Sequence, residues 1–138
     1  MAPRIRHVLE TALYCDDLET TAAFYRSVLG FAVVFEDGRA VLLDGGGQTV
    51  LLLFRRGASR EGIQTTIGWI PPHDGSGPTH VAFAIAAADL ADWERQLTAH
   101  GVEIESRIAW QRGGHSLYFR DPEGHSLELA TEGTWPSY

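Results

Sequence analysis

The sequence contains no lysine; its 11 basic residues are all arginine. Schiff-base chemistry and the lysine of a phosphate-binding loop are therefore both excluded. Cysteine is almost as scarce. The single Cys15 rules out an internal disulfide and argues against a zinc ribbon. No run approaches the roughly 20 apolar residues of a membrane span. The opening Met1-Ala2-Pro3-Arg4-Ile5-Arg6-His7 lacks the apolar core of a signal peptide, so a cytoplasmic location is expected. Positive charge is in deficit too. Against 18 Asp and Glu the formal net charge is −7, which repels phosphate backbones and anionic membranes and excludes nucleic acid as a partner. What remains is ordinary: 138 residues, 44% hydrophobic and 21% charged. That is enough for one domain, or for two small modules sharing a core. The open classes are a small-molecule enzyme, a small-molecule binder and an interaction module.

The chain reads as alternating strands and helices. Residues 5–14 form a strand, and Asp16-Asp17 caps a helix with Leu18, Ala22, Tyr25 and Leu29 on one side and Gly30 as its stop. Strands follow at 31–35, 40–43 and 49–54, separated by Asp37-Gly38 and by Asp44-Gly45-Gly46-Gly47. Residues 64–70 allow a further short strand. Pro71 through Pro78 reads as a linker or mobile loop. The order then returns: a strand at 80–85, a helix capped by Asp89, and strands at 102–108, 116–120 and 126–130. Glu10 to Tyr14, Asp17-Leu18 and Gly30-Phe31 correspond to His80 to Ala84, Asp89-Leu90 and Gly101-Val102. The expected fold is α+β: two βαβββ modules, 1–70 and 71–138, forming one domain whose curved mixed sheets make an open trough or barrel.

Parity along the strands says what faces that trough. Leu9 and Leu13, and Val81, Phe83 and Ile85, are natural seats for the helices. The opposite faces carry Glu10 with Ala12, His80 with Ala82 and Ala84, and Glu128 between Ser126 and Ala130. Small residues around an isolated polar group suit a cavity better than a core. A buried carboxylate is costly unless paired or metal-bound, and one imidazole with two carboxylates can hold a divalent metal. Taken singly, each carboxylate reads equally as plain surface, and His80 reads first as a structural histidine. Their equivalent places in the repeat join them.

These residues resemble the vicinal oxygen chelate superfamily of glyoxalase I, the fosfomycin- and bleomycin-resistance proteins and the extradiol dioxygenases. The resemblance rests on Asp17-Leu18 through Ala23-Phe24-Tyr25-Arg26 to Val28-Leu29-Gly30-Phe31, on His80-Val81-Ala82-Phe83, and on Tyr118 through Leu129. It implies one divalent ion (Fe, Mn, Ni, Zn or Mg) held by Glu10, His80 and Glu128. Glu10 stands where the family usually has His or Gln. The fourth ligand position falls on Leu51 or Leu52. The resemblance therefore implies a site with an open face rather than a true glyoxalase I. Tyr118 coincides with a pocket tyrosine of the extradiol enzymes, and the bland reading makes it an aromatic core residue. With Glu128 it is the candidate catalytic pair.

Trp110, Arg112 and His73 are candidates for the substrate pocket, Arg112 for an anionic group. His73 reads first as a solvated loop residue. His7 reads as structural or surface, His115 and His125 as solvent-facing, and Cys15 as inert packing. The favoured function is a metal-dependent enzyme using Lewis-acid chemistry on a small substrate with neighbouring oxygens, either a lyase or transferase or an extradiol-type dioxygenase. The alternative is a metal-free, bleomycin-resistance-like drug binder with Trp69, Trp110 and Tyr118 as stacking surfaces. A homodimer is expected on either reading.

Overall fold

A computed structural model describes all 138 residues. The chain divides into two compact units, Met1–Ser76 and Gly77–Tyr138. The first unit contains β1 (Glu10–Cys15), α1 (Leu18–Ser27), β2 (Val33–Glu36), β3 (Ala40–Asp44) and β4 (Val50–Arg55), then a hairpin of β5 (Ile63–Thr65) and β6 (Gly68–Ile70). The second contains β7 (His80–Ala84), a 3₁₀ turn (Ala87–Asp89), α2 (Leu90–Ala99), β8 (Ser106–Ala109), β9 (His115–Arg120) and β10 (Ser126–Ala130). Each unit has a four-stranded mixed sheet that does not close, in the order β1-β4-β3-β2 and β7-β10-β9-β8. The architecture is α+β and built twice.

In the first unit Asp17 caps α1, its carboxylate accepting from the Thr20 backbone N–H at 3.1 Å and the Thr20 hydroxyl at 2.7 Å. Those two bonds hold the Asp17 carboxyl below its usual range. α1 packs on β3 and β4. Leu18, Ala22 and Tyr25 meet Leu13, Leu43, Leu51 and Leu53 in a core from which water is excluded. In the second unit Leu97, Leu117, Phe119, Leu127 and Leu129 are the buried counterparts. No helix is long and apolar enough to cross a membrane.

Four local expectations are revised. β1 begins at Glu10 because β4 offers no partner beyond Val50; Ile5 and Val8 upstream are exposed. β8 starts at Ser106, opposite Tyr118, so residues 102–105 are not a strand. Residues 64–70 are not one strand, because the Thr65 hydroxyl donates to the Gly68 carbonyl at 2.6 Å and folds them back. Asp89 makes no side-chain capping bond; a 3₁₀ turn precedes α2 instead.

The segment read as a mobile loop is tied to the first unit. The His73 N–H bonds the Ser59 carbonyl at 3.0 Å. Asp74 pairs with Arg60 and accepts from the Gly57 N–H, and the Gly75 carbonyl accepts from Arg56 at 2.6 Å. Gly75 lies so close to the Tyr14 ring that a Cβ there would fall 2.6 Å from Cδ2.

Candidate functional site

The second unit brings two of the expected metal ligands together. β7 and β10 run parallel with His80 opposite Ser126 and Ala82 opposite Glu128. His80 and Glu128 therefore lie on one face, two residues apart diagonally. His80 Nε2 is 3.2 Å from Glu128 Oε1. Glu128 is buried at 5% exposure, while the His80 side chain is half exposed at the sheet edge.

The donors and acceptors around this contact can be counted. His80 Nδ1 lies 2.8 Å from the Ser126 carbonyl oxygen. A carbonyl only accepts, so Nδ1 carries the proton and donates it. In the neutral ring Nε2 is then a lone pair aimed at a carboxylate oxygen, and two acceptors cannot bond one another. Something positive must lie between them: a proton, carried by the ring or by the carboxyl, or a metal cation. An imidazole whose other nitrogen is held by a carbonyl is the usual arrangement of a metal-ligating histidine. Two donor atoms 3.2 Å apart also match the edge of a coordination shell with bonds of about 2.0–2.2 Å. The nitrogen–oxygen set fits a hard or borderline divalent ion.

The rest of this face serves Glu128. Its second oxygen, Oε2, accepts from the Ser116 hydroxyl at 2.5 Å, and Ser116 Oγ accepts from the Trp110 indole N–H at 2.8 Å. Tyr118 stands directly opposite Glu128 across β9 and β10. Its ring lies nearly parallel to that of His80, centroids 6.1 Å apart. Burial, and then the Glu128 charge, push the Tyr118 phenol above its ordinary range. Tyr118 thus remains an O–H donor through neutral pH. Arg112 is exposed in the turn between β8 and β9.

Glu10 belongs to the first unit, exposed at the start of β1 opposite Val50. No group of three His, Cys, Asp or Glu side chains that could hold a metal ion is present. Register nevertheless makes the two strands equivalent: Glu10 opposite Val50 repeats His80 opposite Ser126, and Ala12 opposite Leu52 repeats Ala82 opposite Glu128. This settles the one-residue ambiguity, since Leu52, not Leu51, occupies the place that Glu128 holds in the second unit.

His73 lies in the first unit and is not a solvated loop residue. It is half buried, its Nδ1 2.7 Å from the Tyr14 hydroxyl and its ring 4.6 Å from the Phe54 centroid. His125 does not face solvent. It is 2% exposed, with Nδ1 2.7 Å from Asp121 Oδ2 and its backbone N–H on the other Asp121 oxygen. The Asp-x-x-x-His spacing within a tight turn was the available signal for this pair. Cys15 is fully buried and His115 exposed. Ser116 is a site residue that the sequence pattern does not single out, because its place beside Glu128 depends on the β9–β10 register.

Comparison with known proteins identifies the family. Residues 4–129 match the model of the glyoxalase/bleomycin resistance protein/dioxygenase superfamily. A metallothiol transferase FosB of Staphylococcus haemolyticus is 32% identical over 78% of this chain and 70% of its own. A glutathione transferase FosA of Serratia marcescens is 29% identical over 85% and 74%. The crystal structure of a lactoylglutathione lyase from Agrobacterium tumefaciens superposes with a TM-score of 0.87 at 32% identity, covering 97% of this chain and 99% of that one. A doubled βαβββ chain carrying His80, Tyr118 and Glu128 on one sheet face thus belongs to the glyoxalase/bleomycin resistance protein/dioxygenase superfamily.

Proposed function

We propose that the chain is a metal-dependent enzyme that transfers a thiol to a small electrophile bearing neighbouring oxygens. The observation that carries the metal is the His80 Nε2–Glu128 Oε1 contact, where two acceptors face each other at 3.2 Å. Glu10 holds the equivalent strand position in the first unit. A bound divalent ion would act as a Lewis acid on the chelating oxygens. The names of the FosB and FosA relatives support thiol transfer over dioxygenation. So does the set expected from the sequence, because two carboxylates and one imidazole differ from the two-histidine, one-carboxylate set of non-haem iron oxygenases.

The chain's own residues have definite tasks. Tyr118 keeps its phenolic proton and donates a hydrogen bond to a substrate oxygen. Arg112 meets an anionic substrate group from the turn. With an epoxide as electrophile, the sulfur–carbon bond forms as a ring carbon–oxygen bond breaks. The thiol's proton ends on the released oxygen, so the sum is an addition. Incubating the protein with Mn²⁺, glutathione and a small epoxide carrying an adjacent oxyanion is expected to give the one-to-one adduct by mass spectrometry. Chelator treatment should abolish adduct formation and added Mn²⁺ restore it. Formation that is indifferent to chelator would overturn the reading.

The same contact favours one other reading. If His80 carries both ring protons, it pairs with Glu128 as an ordinary ion pair and no metal is needed. The chain would then be a metal-free binder, and its net charge of −7 suits a cationic drug. Metal content separates the two.

Assembly is proposed as a homodimer. β1 and β7 each pair on one side only, so each sheet ends in an unpaired edge. Val34, Phe35, Trp69 and Trp135 are large apolar side chains left in water. Light scattering behind size exclusion should give about twice the 15.2 kDa chain mass. A mass near one chain, unchanged across concentration, would contradict this.

A further inference from the structure

We infer that Trp110 and Ser116 are positioning residues that hold Glu128 as a one-oxygen metal donor. The inference rests on the metal reading above and goes beyond it, by assigning a task to two residues outside the ligand set. It follows from donor and acceptor counting along one chain of contacts.

An indole nitrogen can only donate. The Trp110 N–H therefore gives its proton to Ser116 Oγ, 2.8 Å away. Ser116 has one hydroxyl proton, and with Oγ accepting from Trp110 that proton turns to Glu128 Oε2. The 2.5 Å separation is typical of a hydroxyl on an ionised carboxylate. The direction of the relay is fixed by chemistry: Trp110 to Ser116 to Glu128. Oε2 is thereby engaged by Ser116, and Oε1 faces His80 Nε2; the Tyr118 hydroxyl also hydrogen-bonds this carboxylate.

Burial gives the relay its force. Ser116 is 1% exposed and Glu128 5%. Water cannot readily take the place of the hydroxyl, and an unpaired buried carboxylate oxygen is costly. Without Ser116 the carboxylate is free to rotate and chelate through both oxygens, which disturbs its geometry toward a metal. Trp110 is itself held in place. Its backbone N–H donates to the Gly114 carbonyl at 2.8 Å, and its backbone carbonyl accepts from the Gly113 N–H at 3.0 Å. Gly114 in turn sits against the backbone of Gly133, where a Cβ would approach to 2.5 Å. The turn cannot slide without losing that packing.

The test is a double-mutant cycle read by Mn²⁺ titration, following free Mn²⁺ by paramagnetic resonance. The proteins are wild type, Trp110→Phe, Ser116→Ala, the double variant and Ser116→Thr. Ser116→Ala should weaken Mn²⁺ binding about 10–100-fold, the usual cost of losing a group that orients a ligand. Trp110→Phe keeps the ring and removes the donor, and should cost up to about 10-fold. The double variant should be no weaker than Ser116→Ala, because Trp110 acts only through the serine. Ser116→Thr keeps the hydroxyl and should bind within a few-fold of wild type. Thermal melts run in parallel register any general loss of packing, which would not produce this non-additivity. Wild-type binding with unchanged affinity in Trp110→Phe and Ser116→Ala, or with losses that multiply in the double variant, overturns the relay alone. Wild-type protein that binds no Mn²⁺ overturns the metal reading, and the relay with it.

Discussion

Replacing His80 with alanine is expected to abolish divalent metal binding while leaving the fold intact. The side chain is half exposed on an edge strand, and the hydrogen bond it loses, to the Ser126 carbonyl, can be replaced by water. The affinity has no such substitute. Changes that merely misorient a ligand cost about 10–100-fold, so deleting one should cost more than about 100-fold. At 25 °C that corresponds to more than about 2.7 kcal/mol of binding free energy. Titration calorimetry with Mn²⁺, Ni²⁺ and Zn²⁺ checks the loss, and circular dichroism with a thermal melt checks the fold. A variant that binds metal as tightly as wild type would place the ion elsewhere.

Isomerisation of the methylglyoxal–glutathione hemithioacetal is expected to proceed no faster than background. The resemblance to glyoxalase I implies a fourth ligand that can also shuttle protons. Register puts Leu52 in that place, across from Ala12 as Glu128 stands across from Ala82. A leucine neither binds a metal nor moves a proton. Removing a general base forfeits about 10²–10⁴-fold in rate. This prediction sets the chain apart from the lactoylglutathione lyase whose structure it superposes on so closely, and one fold hosting several reactions makes such a difference ordinary. Robust turnover stimulated by Ni²⁺ or Zn²⁺ in a hemithioacetal assay would show that another residue supplies the base.

Much of the fold was legible because its signals are local. Ser126–Ala130 alternates strictly between small or polar and apolar residues, and the observed β10 has those bounds. Asp17 caps its helix as its position suggests. Legibility failed where an element depends on a distant partner. Ile5 and Val8 look like strand residues, but no neighbouring strand reaches them. The bond between Tyr14 and His73 spans 59 positions and has no periodic trace in the sequence.

The site divides the same way. Parity along single strands placed His80 and Glu128 on one face, and the structure puts them in contact. Parity could not supply the registry between β9 and β10, so the Ser116 hydroxyl and its Trp110 donor were missed as partners of Glu128. Trp110 was considered for the pocket rim, and the structure gives its indole N–H to Ser116. His125 flanks the final hairpin, a place the sequence reads as solvent-facing. Two Asp121 oxygens folded back on the turn bury it instead.

The most direct measurement is elemental analysis by emission spectroscopy of the protein purified without chelator, followed by titration of the stripped protein with Mn, Fe, Ni and Zn. A site built on His80 Nε2 and Glu128 Oε1 predicts close to one divalent ion per chain, regained after stripping. Protein that carries no metal and binds none of the four would contradict it, leaving His80 and Glu128 as a simple ion pair.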